Sequence, residues 1–158
     1  MEKEKTCKIV FSDIDGTLLT SDGQITEGTK EMILNLEKKG IPFILTSARS
    51  PEGVRVIKRM LGNHAPIIAF CGGLILDNDG NEIYSKMIPL KRALELKAML
   101  DKDFPAVACN TFGGEKWIVD DRDDWREQRE EKIVGFPAEI GAITVSYTHL
   151  RAHETLAN

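Results

Sequence analysis

Two carboxylates lie one residue apart in the segment Asp13-Ile14-Asp15-Gly16-Thr17, directly after the apolar run at 9–11. Alternate side chains of a β-strand share a face, so Asp13 and Asp15 begin on the same side if the strand continues past its end. Two such acids attract a hard divalent cation such as Mg²⁺, which prefers oxygen ligands and neutralises their mutual repulsion. An aspartate clamped by a metal ion can attack phosphorus, so the pair indicates phosphoryl transfer.

A second polar segment, Thr46-Ser47-Ala48-Arg49, ends the next apolar run. In an open parallel sheet the loops at the carboxyl ends of neighbouring strands meet in one crevice, so we expect Ser47 to face Asp13. Its hydroxyl can donate to a phosphoryl oxygen, helped by backbone N–H groups at the start of the following helix. The alternative is that Ser47 or Ser50 only caps that helix, but the neighbouring carboxylate pair favours a phosphate contact.

Apolar spacing and capping signals predict three strands that alternate with two helices in the first seventy residues. The predicted elements are strands at 8–12, 41–45 and 67–70, a helix from the N-cap Thr26 to Gly40, and a helix from the N-cap Ser50 to Gly62. This alternation is typical of a parallel sheet with right-handed crossovers. We therefore expect an α/β fold whose core is a doubly wound parallel sheet, present here in incomplete form.

The pattern changes after residue 70. Strands at 74–76 and 83–84 flank Asp77-Asn78-Asp79-Gly80, which we interpret as a hairpin turn and not as a metal-binding acid pair, because turns need these residue types for backbone reasons. A helix at 90–100 and an antiparallel strand pair at 107–112 and 116–119 follow. We therefore predict a core at residues 1–84 and a partial α+β cap at 85–143.

The composition of the chain limits the kinds of partner that we expect it to bind. A net charge of −4 over 158 residues gives no electrostatic case for nucleic acid or an anionic membrane. No apolar run approaches the ~20 residues of a membrane span, and from the charged N-terminus we expect no signal peptide. Three widely spaced cysteines, Cys7, Cys71 and Cys109, fit a reducing cytoplasm, and we expect all three to be buried. The sequence leaves the oligomeric state open.

These segments resemble the motifs of the haloacid dehalogenase superfamily, and within it the Cof-type sugar-phosphate phosphatases. The first motif is matched by residues 9–19, the second by 45–49, the family hairpin by 71–73 with 79–80, and a cap strand by 115–120. Two residues depart from the family pattern: Ala48 stands where glycine is commoner, and Cys71 stands where asparagine is common.

The resemblance implies a phosphatase that acts on small phosphorylated metabolites in two steps. Asp13 would attack phosphorus, and Asp15 would first protonate the leaving oxygen and then deprotonate the hydrolytic water. The resemblance also implies Mg²⁺, held by the Asp13 carboxylate and the Asp15 main-chain carbonyl. Ser47 would hold a phosphoryl oxygen, and Arg49 would contact the substrate.

Three alternatives stay open beside this interpretation. Similar phosphatases carry a later lysine and a Gly-Asp-x-x-Asn-Asp loop, neither of which has a convincing match here. Asp120 and Asp121, with Lys116 upstream, could instead serve a compact phosphatase without a cap. A phosphomutase of the same superfamily would keep both aspartates of the first motif, and a non-catalytic phosphate-binding module would keep only the fold.

The C-terminal segment resembles translated sequencing-adapter DNA at residues 145–155. We therefore expect the tail at 144–158 to be non-native and the genuine sequence to end near Ile143, inside the cap. On this interpretation the chain is the front part of a longer enzyme. We expect the 158-residue chain to be inactive by itself, because the later lysine and metal-binding acids would be absent.

Overall fold

The structure is a computed structural model that describes residues 7–113 and 116–141, together with the backbone of 147–153. It divides into two compact units, Met1–Ser85 and Lys86–Asn158. The predicted limits of the core, cap and tail at residues 84 and 143 stay predictions. Parts of the predicted tail, at 144–146 and 154–158, lie outside the described residues.

The first unit is a five-stranded sheet with two helices. Its strands, in sheet order, are β1 (Val10–Asp13), β2 (Phe43–Thr46), β3 (Ile67–Ala69), β4 (Leu74–Leu76) and β5 (Glu82–Ser85), and its helices are α1 (Glu27–Lys38) and α2 (Pro51–Leu61). The first three strands are parallel, and the last two continue the sheet antiparallel. The predicted α/β fold with a parallel-sheet core is confirmed.

The helix boundaries of the first unit follow from their capping residues. The Thr26 side chain accepts from the Thr29 N–H at 3.2 Å at the start of α1, and Ser50 accepts from the Gly53 N–H at 3.3 Å at the start of α2. Gly62 ends α2 with φ at 68°, a left-handed conformation that glycine adopts without steric cost. All three predicted helix signals are confirmed.

The core of the first unit lies between one face of the sheet and the two helices. Alternate strand residues point to this face, and the helices cover it with the apolar sides that their 3.6-residue period creates. The core residues are Phe43, Leu45, Ile67, Ala69, Leu74 and Leu76 from the sheet, and Ile33, Val54, Ile57 and Leu61 from the helices. On the opposite face, Phe11 of β1 is 57% exposed.

The second unit is an antiparallel-rich sheet with two helices. Its strands, in sheet order, are β6 (Ile88–Pro89), β10 (Tyr147–His153), β7 (Ala108–Gly113), β8 (Lys116–Val119) and β9 (Glu139–Ile140), and its helices are α3 (Leu90–Asp103) and α4 (Trp125–Val134). The predicted helix at 90–100 and the antiparallel pair β7–β8 are confirmed. Helix α4 was not predicted from the sequence. The segment that resembles adapter sequence contributes β10, and its proposed non-native origin stays a prediction.

The cysteine prediction is wrong at two of three positions. Cys109 is buried on β7, but Cys7 and Cys71 are exposed. Cys71 lies in the loop between β3 and β4, and Cys7 precedes β1. Strand and helix periodicity does not indicate which way a loop side chain points, so the usual preference of cysteine for burial does not hold at these two loop positions. Among the described residues, none of the helices has both the length and the apolarity to cross a membrane.

Candidate active site

The two predicted catalytic carboxylates lie where β1 ends and a single wide turn begins. The Asp13 side chain is exposed, and its Oδ1 accepts from the Ile14 N–H at 2.8 Å. The turn closes when the Leu19 N–H donates to the Ile14 carbonyl at 3.0 Å. Buried Ile14 anchors the turn, and Gly16, with φ at 74°, gives it the left-handed step that an L side chain would strain. The turn therefore presents both acids at the carboxyl end of the sheet.

Asp15 is held by Arg49 through two hydrogen bonds. Arg49 Nε donates to Asp15 Oδ2 at 2.9 Å, and Arg49 Nη2 donates to Asp15 Oδ1 at 2.7 Å. The arginine side chain is only 6% exposed, whereas that of Asp15 is 57% exposed. The planar guanidinium fork matches both carboxylate oxygens, so the pair fixes the orientation of the carboxylate. This pair was not predicted from the sequence, because a separation of 34 residues leaves no periodic signal.

Ser47 lies at the end of the strand next to Asp13. Thr46 stands opposite Asp13 in the parallel register of β1 and β2, and Ser47 follows it. Ser47 is 5% exposed, and its Oγ accepts from the Arg49 N–H at 3.1 Å. Ser50, and not Ser47, caps α2. The predicted phosphate contact of Ser47 and the predicted substrate contact of Arg49 stay predictions.

The loop after β3 binds Ser47 and Arg49 through its backbone. The Cys71 N–H donates to the Ser47 carbonyl at 2.9 Å, and the Phe70 N–H donates to the Arg49 carbonyl at 3.0 Å. Phe70, Cys71 and Gly72 all have positive φ, at 50°, 54° and 91°, which is uncommon for residues other than glycine. Arg49 thus links the ends of three neighbouring strands through hydrogen bonds to Asp15 after β1, Ser47 after β2 and Phe70 after β3.

Two other acidic segments have structural partners. The Asn81 side chain donates to Asp77 Oδ2 at 3.0 Å, and this bond is the main cause of the lowered pKa of Asp77. The Asn81 and Asp79 N–H groups, which donate to Oδ1 at 2.8 and 2.9 Å, lower that pKa further. The predicted hairpin turn is confirmed. In the second unit, Asp120 forms an ion pair with Lys97 at 2.7 Å. Within the described ranges, no cluster of three or more His, Cys, Asp or Glu residues could hold a metal ion.

A buried polar network lies inside the second unit. Asn110 Nδ2 on β7 donates to Glu127 Oε1 on α4 at 3.0 Å, and Trp117 Nε1 on β8 donates to Asn110 Oδ1. Glu127 is 3% exposed, and its Oε2 has no hydrogen-bond partner within the described structure. Burial raises the pKa of Glu127 to about 6, with a smaller contribution from nearby Asp124. Packing, and not a ligand, accounts for this shift.

The sequence has clear relatives. A family model described as haloacid dehalogenase-like hydrolase matches residues 10–145. A candidate phosphatase of Haemophilus influenzae is 36% identical over 124 residues, which make up 73% of this chain and 47% of that protein. A phosphoglycolate phosphatase of Thermoplasma volcanium is 38% identical over 74 residues, which make up 47% of this chain and 33% of that protein. The chain spans about half the length, or less, of the curated relatives it matches.

Solved structures show the same fold. A haloacid dehalogenase-like hydrolase from Bacteroides thetaiotaomicron superposes with a TM-score of 0.77 at 20% identity, over 86% of this chain and 52% of that one. A sugar phosphatase of subclass IIB of the same superfamily superposes with a TM-score of 0.65 at 20% identity, over 84% of this chain and 52% of that one.

Proposed function

Because this chain belongs to the haloacid dehalogenase-like hydrolases, we propose that it serves the hydrolysis of phosphate monoesters of small metabolites. The observation that carries the proposal is the placement of Asp13 at the end of β1, beside the strand end that bears Ser47. Similar proteins also support the proposal, since one is described as a phosphoglycolate phosphatase and another as a sugar phosphatase. Sugar phosphates or similar metabolites are therefore the proposed substrates.

Asp13 is the proposed nucleophile. Its carboxylate is exposed to an incoming substrate, and the Ile14 N–H bound to Oδ1 orients it. The other oxygen attacks phosphorus, a bond forms between aspartate and phosphorus, and the ester oxygen leaves with a proton from Asp15. Asp15 then takes a proton from water, whose oxygen attacks the phosphorus of the aspartyl-phosphate. Inorganic phosphate leaves, and both aspartates regain their starting states.

Ser47 is the proposed phosphate-binding residue. Its Oγ already accepts from the Arg49 N–H, so the hydroxyl proton remains to be donated. A phosphoryl oxygen held beside Asp13 would receive that proton in a hydrogen bond. Burial of Ser47 strengthens such a bond because little water competes for it.

The residues present fit a magnesium ion. The donor set consists of oxygens, which Mg²⁺ prefers, and the exposed Asp13 carboxylate can supply one of them. Asp15 would contribute its main-chain carbonyl, because its carboxylate is held by Arg49. A bound Mg²⁺ would neutralise the repulsion between the Asp13 carboxylate and the negatively charged phosphoryl group.

The test is phosphate release from a panel of sugar phosphates by the gene product encoded at the native locus, with and without Mg²⁺. We expect turnover that requires Asp13, so that Asp13→Asn lowers it to background. A gene product without turnover, or an Asp13→Asn variant that retains it, would refute the proposal. We further propose that the 158-residue chain alone shows no turnover above its Asp13→Asn control, and substantial Asp13-dependent turnover by that chain would contradict this.

A further inference from the structure

Arg49 lies at the centre of the strand-end site, and we propose that it is the positioning residue that holds Asp15 for the hydrolysis of the aspartyl-phosphate. This inference rests on the proposed function. It gives Arg49 a role different from the substrate contact expected from the sequence. Arg49 acts through Asp15 and need not touch the phosphoryl group.

The first support is the geometry of the pair. A buried guanidinium donates to both oxygens of a carboxylate that is itself half exposed. Each carboxylate oxygen has a second lone pair, so Asp15 can still accept a proton from water while Arg49 binds it. Lysine could not replace this contact, because it offers a point charge instead of a planar fork.

The second support is the way Arg49 itself is fixed. Its N–H donates to Ser47 Oγ and its carbonyl accepts from the Phe70 N–H, so the loops after β2 and β3 define its backbone. Its side-chain stem lies against the first turn of α2, where a Cβ added at Gly53 would be 3.3 Å from Arg49 Cβ. The absence of a side chain at Gly53 leaves room for this stem. Because both the backbone and the side-chain stem of Arg49 are held in place, its guanidinium can fix the orientation of the Asp15 carboxylate.

The third support comes from comparison with Arg59, an arginine on α2. Arg59 Nη2 binds Glu52 Oε1 at 2.8 Å, but the Arg59 side chain is 63% exposed. Exposed ion pairs of this kind contribute little, because water competes for both partners. Arg49 differs in burial and in its two-point contact. Arg59→Gln is therefore a matched control for Arg49→Gln.

The functional test is rapid-quench kinetics with p-nitrophenyl phosphate and the native-locus gene product. p-Nitrophenolate leaves without a proton, so formation of the aspartyl-phosphate needs no acid, whereas its hydrolysis needs the base. We expect Arg49→Gln to keep the burst of p-nitrophenolate and to lower the steady-state rate at least ~10-fold, since a positioned base contributes about 10²–10⁴-fold. Asp15→Asn should behave alike, the double variant should be no slower than Asp15→Asn, and Arg59→Gln should resemble the wild type. Arg49→Lys should not restore the rate.

A raised KM with an unchanged hydrolysis step in Arg49→Gln, or additive losses in the double variant, would overturn the inference and favour a substrate contact. A wild-type enzyme without Asp13-dependent turnover of p-nitrophenyl phosphate would instead defeat the proposed function. In that case the 158-residue chain still tests the pairing by ¹⁵N NMR of the arginine side chains. A guanidinium bound at two points rotates slowly, so Asp15→Asn should speed the rotation of Arg49 and Asp13→Asn should not. An unchanged Arg49 signal in Asp15→Asn would refute the inference.

Discussion

Glu127 makes the stability of the second unit depend on pH. Its carboxylate is buried with one unpartnered oxygen, and its pKa is raised from 4.5 to about 6. The folded state therefore binds the proton more tightly than the unfolded state does. Between these two pKa values the free energy of unfolding falls as the pH rises, and above the folded-state pKa the full penalty remains. At about 1.4 kcal/mol per pKa unit, ionised Glu127 costs about 2 kcal/mol at neutral pH.

The perturbation is Glu127→Gln, which cannot ionise. The new amide places N–H groups where Oε2 had no partner, and an unmet buried donor costs about 1–3 kcal/mol at every pH. The informative quantity is therefore the pH dependence and not the stability at one pH. The difference between wild type and variant should fall by about 2 kcal/mol from roughly pH 4.5 to roughly pH 7. Glu95→Gln, an exposed position on α3, is the control.

The assay is urea unfolding followed by tryptophan fluorescence. Both tryptophans of the chain, Trp117 and Trp125, belong to the second unit, so the signal reports the unit that contains Glu127. Trp117 is 1% exposed and hydrogen-bonded to Asn110, so its emission should change strongly when the network opens. If the free energies of unfolding of the wild type and of Glu127→Gln changed in parallel with pH across this range, the reasoning would be refuted.

Three further outcomes are expected. Cys71→Asn should stabilise the first unit by up to about 1 kcal/mol in calorimetry, because asparagine tolerates the left-handed backbone that Cys71 adopts, and a loss of stability would contradict this. Ser50→Ala should cost about 1 kcal/mol by removing the cap on the Gly53 N–H, and an unchanged melting temperature would count against it. Thiol labelling of the native chain should modify Cys7 and Cys71 rapidly and Cys109 only on unfolding, and rapid loss of three thiols would disprove the described burial.

Local signals of the first unit were sufficient to predict its fold. Thr26, Ser50 and Gly62 act through their immediate backbone neighbours, so their roles follow from sequence position alone. The parallel sheet followed from the alternation of strands and helices, and the motif resemblance led to the correct family. The position of Asp13 at the strand end was predictable because the apolar run at 9–11 that forms the strand comes just before it.

What the sequence did not reveal depends on contacts between distant segments. The Asp15–Arg49 pair joins two loops, and no periodicity links them. The left-handed conformation of Phe70 and Cys71 is imposed by hydrogen bonds to another loop, although the commoner asparagine at position 71 was a signal. Helix α4 was missed because it is mostly polar, with few of its residues buried, so it lacks the apolar stripe that marks an amphipathic helix.

The strand that carries the proposed nucleophile is an edge strand among the described elements, since β1 pairs with β2 alone. In a parallel ladder only alternate residues bond to a given neighbour, and the Val10 N–H donates to the Pro42 carbonyl at 2.9 Å. The amides of Phe11 and Asp13 therefore point away from β2. In amide hydrogen exchange, protection along β1 should alternate, with Val10 slow and Phe11 fast. Asp13 thus stands in a strand whose backbone is shielded from water on one side only.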